Sequence, residues 1–456
     1  MTSRLFRYEI LCLSLLIFVF LSLSLAFTEH LSLIGSMFSI ISVGLFFLFY
    51  LVRIEGKIEV FDAGAILIAI TILYSLFPLL SFAINGFEVN IFTENRLRNY
   101  RISSQEMAEH SLNHLIYILA LTFTYMFFRP KKNIILFEKQ SFEPINSSEI
   151  FIGIFFYVAL NIILTLFAFT FPENPPYFVR QLLNNFSALT FVMSIWFFAL
   201  TLINRKNKFF ASLLFIYLFY EFIKVILGLS GRTWFFIHML GLFFLYHRIV
   251  KPFSGKQIFY LFFIAFASFL LFGYIRTGQS SVLSIAGFFT GNEEFTSLFA
   301  TSYDLKVRLQ ELSNSETVPF SVKNFDYIAL IPSQFLPFEK IDGPTWYVSL
   351  IGLQGTGYGA GFGVISQAIV GFGKVELVLR GILAGFIYSY LHGFVTQNKI
   401  SIWRLVIYTY LAIQSYHTMR NGTGYLLYFF VYFILPCFFV LKFFSFSSKR
   451  FSKVNN

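Results

Sequence analysis

Four arginines stand at the edges of long apolar runs: Arg180 in "PPYFVRQLL", Arg232 in "GLSGRTWFF", Arg276 in "GYIRTGQS" and Arg420 in "SYHTMRNGTG". A guanidinium is a permanent, weakly hydrated cation whose planar fork of donors matches the oxygens of a phosphate. Taken singly, each reads as an interfacial anchor with its stem laid along apolar surface. Four at one depth read as an anion site, and the ligand that suits them is a phosphorylated lipid. Arg96, Arg98 and Arg101 in "RLRNYR" can belong to the same face. Chemistry on a sugar hydroxyl also needs a proton acceptor. The candidates are Glu293, Glu294, Asp304, Asp342 and His417, each of which also suits a solvated loop position or a helix cap.

Stepping outward from these residues, composition defines the solvent. Of 456 residues, 57% are hydrophobic and 12% charged, half the charged share of a soluble domain. The chain is therefore expected to be an all-α polytopic integral membrane protein. Hydropathy predicts spans near 8–28, 31–52, 63–84, 111–129, 149–171, 185–203, 209–228, 234–247, 257–275, 375–396, 401–418 and 425–442, about twelve in all. The eighth is short and must borrow flanking residues. Alternate connections are basic: Arg4/Arg7, Arg53/Lys57, Arg129/Lys131/Lys132/Lys139, Arg205/Lys206/Lys208, Arg248/Lys251/Lys256, Lys399/Arg404 and Lys449/Arg450/Lys453. The positive-inside tendency then puts both termini in the cytoplasm and the four arginines on the outer side. Topology accounts for most of the net charge of +11, so no nucleic-acid partner is needed. Three regions result: 1–275 with spans 1 to 9, a large outer loop 276–374, and 375–456 with spans 10 to 12 and a cytoplasmic tail.

The outer loop is not uniformly polar. Phe295, Leu298, Phe299, Leu305, Leu309 and Leu312 recur at helical spacing opposite Asp304, Lys306, Arg308 and Glu311. That pattern suits a helix lying on the membrane, capping a cavity, or packing on the bundle. In "GTGYGAGFG" a glycine recurs at alternate positions, including Gly355, Gly357 and Gly359, without the strand and helix a dinucleotide fingerprint requires. It reads as a loop that lets a substrate or a neighbouring helix approach the backbone. Gln367 follows in "VISQAIVGFG", a candidate re-entrant segment. Glu221 and Lys224 share a helix face and read as an internal pair, and Arg380 can either snorkel outward or line the same cavity. His110 and His114 have a metal-compatible spacing but no accompanying ligand motif, and no nucleotide-binding or serine-hydrolase signature occurs. Neither a metal nor a cofactor is expected.

The order of these features resembles the Wzy-type oligosaccharide repeat-unit polymerases, over residues 228–424. The pieces that carry the resemblance are "SGRT", "GYIRTGQS" followed by a large outer loop, "GTGYGAGFGVISQAIVGFG" and "MRNGTG". The spacing of Arg276 and Gly287 resembles an arginine-to-glycine pattern of that family. Related polymerases often carry an acidic residue where this chain has Gln367, so no catalytic carboxylate is transferred there. The resemblance implies a GT-C-like glycosyltransferase architecture in the bacterial inner (plasma) membrane. It implies growth of O-antigen, capsule or exopolysaccharide from undecaprenyl-diphosphate-linked oligosaccharide donor and acceptor. Chain-length regulators and flippases are the implied partner proteins. Arg180, Arg232, Arg276 and Arg420 would then hold the diphosphate, and Gly355, Gly357, Gly359 and Gln367 the substrate loop. An O-antigen ligase-like transferase and a flippase of lipid-linked oligosaccharide are the alternatives.

Overall fold

Away from water, the α-helix lets an apolar segment satisfy its backbone donors and acceptors internally, and helices dominate the computed structural model. It describes residues 29–55, 61–85, 88–92, 97–130, 141–170, 177–226, 232–254, 256–258, 260–261, 293–311, 318–331, 333–353, 361–397 and 399–443. The first long helices are α1 (Glu29–Glu55), α2 (Ala63–Asn85), α3 (Ser104–Phe128), α4 (Ser147–Thr170), α5 (Tyr177–Ile203), α6 (Lys208–Ile226) and α7 (Arg232–Ile249). Then come α8 (Glu293–Glu311), the single turns α9 (Phe320–Lys323) and α10 (Phe325–Ile328), α11 (Gly343–Leu350) and α12 (Val364–Val370). The chain closes with α13 (Lys374–Val395), α14 (Ile402–Ile413), α15 (Tyr416–Asn421) and α16 (Gly424–Phe443). Among the described residues, six helices are long and apolar enough to cross a membrane, within α2, α3, α4, α5, α13 and α16. Strands are confined there to a hairpin, β1 (Glu88–Phe92) with β2 (Leu97–Arg101), and a two-residue parallel pairing of β3 (Ser141–Phe142) with β4 (Lys399–Ile400).

Helix boundaries depart from hydropathy where local chemistry extends them. The span expected from 111 begins at Ser104, because Ser103 and Glu106 form a reciprocal capping box that starts the helix in polar sequence. The short span expected at 234–247 gains residues at both ends and covers Arg232–Ile249. The stretch expected as one span over 401–418 is two helices, α14 and α15. The expected span 8–28 and most of 257–275 lie outside the described residues.

At the centre, α13 lies directly on α3. A Cβ at Gly381 would come 2.7 Å from that of Ala120, and one at Gly385 would come 2.6 Å from the Leu121 carbonyl oxygen. Two glycines four residues apart thus let the backbones meet, the small-residue packing that helices use in lipid. The amphipathic helix α8 packs on the bundle with Leu298, Phe299 and Leu305 buried. Its Ser302 hydroxyl meets His110 Nε2 at 2.7 Å, and Tyr303 donates to Glu106 at 3.1 Å, so it sits at the N-terminal end of α3.

The flanks of several basic connections meet at the other end. There the Asp62 carboxylate receives Tyr125 Oη at 2.5 Å and Ala65 N at 2.9 Å on one oxygen. On the other it has His392 Nδ1 at 2.6 Å and Arg129 at 3.5 Å. Arg248 donates to the Phe61 carbonyl at 3.0 Å. Glu149 accepts from Trp403 at 3.1 Å and from Lys442 at 2.8 Å. Connections that charge alone assigns to one side of a membrane are therefore joined at one end of the bundle.

Candidate site at the N-terminal end of α13

At the opposite end, Arg380 lies less than two turns into α13 and points inward. Its guanidinium pairs with Glu376, one turn earlier on the same helix, and with Asp326 of α10. Side-chain exposure is 3% for Arg380, 6% for Asp326 and 1% for Glu376, so one cation faces two carboxylates out of water. Glu376 also accepts from the Phe372 backbone at 2.7 Å, which closes the turn before α13. The Tyr327 ring lies 5.9 Å from the Arg380 guanidinium carbon. Of the two readings open for Arg380 from sequence, snorkelling outward is not what the structure contains; the side chain is buried in ion pairs with Glu376 and Asp326.

Asp326 reaches this depth because Gly424 opens α16 with no side chain. A Cβ there would stand 2.7 Å from the Asp326 Cα. Two residues earlier, Gly422 has φ of +100°, a conformation that a side chain disfavours. The position a Cβ would take at Gly422 is 2.9 Å from Asp326 Oδ2, 3.0 Å from Asp326 Oδ1 and 2.9 Å from Gln367 Oε1. A side chain at Gly422 would thus collide with a carboxylate and an amide, and its absence is what lets this backbone lie against both. Asp326 Oδ1 and Gln367 Nε2 are buried and make no hydrogen bond. Unpaired buried polar atoms are costly, and they mark where a polar group can be received.

Among the candidate site residues, Gln367, Asp304, Asp342, His417 and Arg420 can be placed with their side chains. Gln367 is buried on α12, beside Gly422. Asp342 caps α11 by accepting from Thr345 N at 2.8 Å, and its charge reaches Tyr425. On α15, His417 Nδ1 accepts from Asn421 at 2.8 Å, which leaves the proton of the neutral ring on Nε2. Burial and the Arg420 charge push its pKa down to about 3, so the ring is neutral at physiological pH. Asp304 is buried and engaged by Arg308 at 2.6 Å and Tyr347 at 2.8 Å, tying α8 to α11. Arg420 is half-buried on α15 and two residues from Gly422.

The others are located by backbone or not at all. Arg180 falls in the first turn of α5, Arg232 opens α7, and Glu293 and Glu294 open α8; their side chains lie outside the described set. Arg276, Gly355, Gly357 and Gly359 lie outside the described residues. For His110 and His114, Ser302 and Ser75 are the polar neighbours, with Phe299 packed against both rings.

Sequence reasoning passed over Asp326 and Glu376. Glu376 carried a signal, since a carboxylate four residues before Arg380 at a span entrance is a helix pair. Asp326, in "NFDYIALIP", is an isolated acid in apolar sequence, a weaker sign of a buried partner. No protein-family model, curated protein or solved structure matches the chain. Fold and site alone define the class: a helical membrane protein with an incompletely paired polar site buried at one end of its bundle.

Proposed function

We propose that this protein polymerises undecaprenyl-diphosphate-linked oligosaccharide repeat units at the outer face of a bacterial inner membrane, with both termini in the cytoplasm. The observation that supports this reading best is the open carboxylate oxygen of Asp326 beside Gln367 and Gly422, close in sequence to Arg420 and His417. The acceptor sugar hydroxyl is received by Asp326 Oδ1, which takes its proton as the oxygen attacks the anomeric carbon of the donor. The bond from that carbon to the lipid diphosphate breaks, and the diphosphate leaves with the electron pair. Arg420, with Arg180, Arg232 and Arg276, stabilises the charge that grows on the leaving oxygens, an interaction strongest in the transition state. Arg380, held by two carboxylates, positions Asp326 rather than gripping the diphosphate. Gly355, Gly357 and Gly359 belong to the loop that admits the sugar.

The test is the surface glycan of cells with and without the gene. Loss of long chains with single units still attached to their final carrier supports polymerisation. Full-length glycan stranded on its lipid carrier would instead indicate a ligase-like transferase. Loss of all surface glycan, single units included, would indicate a flippase. In complemented cells, Arg232→Ala or Arg420→Ala should abolish the long chains at unchanged protein level.

A further inference from the structure

Between α9 and α11 the chain turns irregularly, yet its backbone is satisfied in an unusual way. Three consecutive carbonyls are capped by side chains from elsewhere. Lys340 Nζ donates to Ala329 at 2.7 Å and to Ile331 at 2.8 Å, while Tyr432 Oη donates to Leu330 at 3.2 Å. Burial lowers the Lys340 pKa, so this ammonium is already partly withdrawn from water. An irregular loop in bulk water needs no such caps, whereas one at membrane depth does.

The contacts also fix how deep the loop sits. Tyr432 is eight residues into α16, about 12 Å along its axis. Asp326 and Tyr327 meet Arg380 well inside the first two turns of α13. The segment therefore lies alongside the entrances of two candidate spans and not beyond them. Four large apolar side chains, Phe320, Tyr327, Ile331 and Phe335, face outward, Phe335 to 78%, interspersed with the exposed Lys323, Ser333 and Gln334. Through Tyr327 this surface continues into the exposed apolar face of α13, formed by Val375, Leu379 and Phe386.

We propose that residues 320–338 are immersed at the headgroup and acyl boundary of the leaflet at the α13 N-terminal end, with Phe320, Ile331 and Phe335 in contact with lipid. Lys340 and Tyr432 make this possible by replacing the water that the 329–331 carbonyls lose. The interaction surface holds whatever reaction the neighbouring site performs. Aromatic side chains favour that boundary, and the exposed Lys323, Ser333 and Gln334 among them suit its headgroup side.

The experiment uses the full chain carrying Cys12→Ser and Cys437→Ser, reconstituted in phosphatidylethanolamine and phosphatidylglycerol vesicles. Spin labels are placed at Phe335→Cys and Ile331→Cys, with Leu379→Cys as lipid-facing reference and Ser349→Cys as aqueous reference. Labels at 335 and 331 should collide with oxygen as the 379 label does and be shielded from a water-soluble nickel chelate. Nickel accessibility equal to that at 349 overturns the proposal. Independently, the unsubstituted protein is irradiated in vesicles doped with a phospholipid bearing an acyl-chain diazirine. Adducts on 320–338 are expected, and labelling of α13 with none on 320–338 overturns the assignment.

Discussion

The two ends of α13 each hold a buried carboxylate with an arginine, and they differ in how completely it is paired. At the C-terminal end, both oxygens of Asp62 are occupied, by Tyr125, Ala65, His392 and Arg129. At the N-terminal end, Asp326 gives one oxygen to Arg380 and leaves the other without a hydrogen bond, packed against Gly422. A closed set of hydrogen bonds on the carboxylate joins three chain segments, those of Asp62, Tyr125 and His392. An open one costs stability and can be offset only by what enters it, so the difference separates a structural knot from a site.

The largest effect expected from breaking this comparison is at the knot. Asp62→Ala removes the buried acceptor shared by Arg129, His392 and Tyr125 and should cost about 3–5 kcal/mol, read from thermal unfolding in detergent. Asp326→Asn retains an oxygen for Arg380 and leaves Glu376 in place. Its melting temperature should fall far less than that of Asp62→Ala, while complemented cells lose their long glycan chains. Equal loss of stability in the two variants would erase the distinction.

Acid should separate the ends next. Burial opposes ionisation of Asp62, but the charges of Arg129 and His392 overcome it and hold the carboxyl well below its ordinary range. Its stabilising contribution is therefore complete above about pH 4 and lost only as pH falls further toward the depressed folded value. His417 behaves differently, with about 3 in the folded state against roughly 6.5 unfolded. The unfolded chain binds the proton more readily, so stability drains as pH falls through 6.5 toward 3. Hydrogen exchange followed by peptide should show α15 loosening below pH 6 while the segment around Asp62 stays protected. His417→Gln should remove that early loosening. The smallest effect is expected from Lys340→Met, which uncaps two carbonyls and should raise spin-label mobility at Phe335 without moving the melting temperature of the bundle by more than about 1–3 kcal/mol equivalent.

The polar clusters were unequally legible in sequence. The Glu376 and Arg380 pair could be seen, because a helix places residues four apart on one face. Asp62, beside Ala63 at a span entrance, carried no mark of the four partners it finds. Asp326 lay in a loop, where no period predicts a neighbour. Of the candidate bases, Asp342 caps a helix, Asp304 ties α8 to α11 and His417 accepts from Asn421 on Nδ1; the side chains of Glu293 and Glu294 lie outside the described set.

By itself the sequence determined that the protein is helical and lives in a membrane, since apolar length is a local property that needs no partner. It also determined which connections carry the positive charge. Only the tertiary structure decided which carboxylates meet Arg380, that Gly422 lies tight against Asp326, and that both oxygens of Asp62 are paired while one of Asp326 is not. Those outcomes depend on residues up to 330 positions apart, as for His392 and Asp62, and on backbone approach at glycines, neither of which a local pattern encodes.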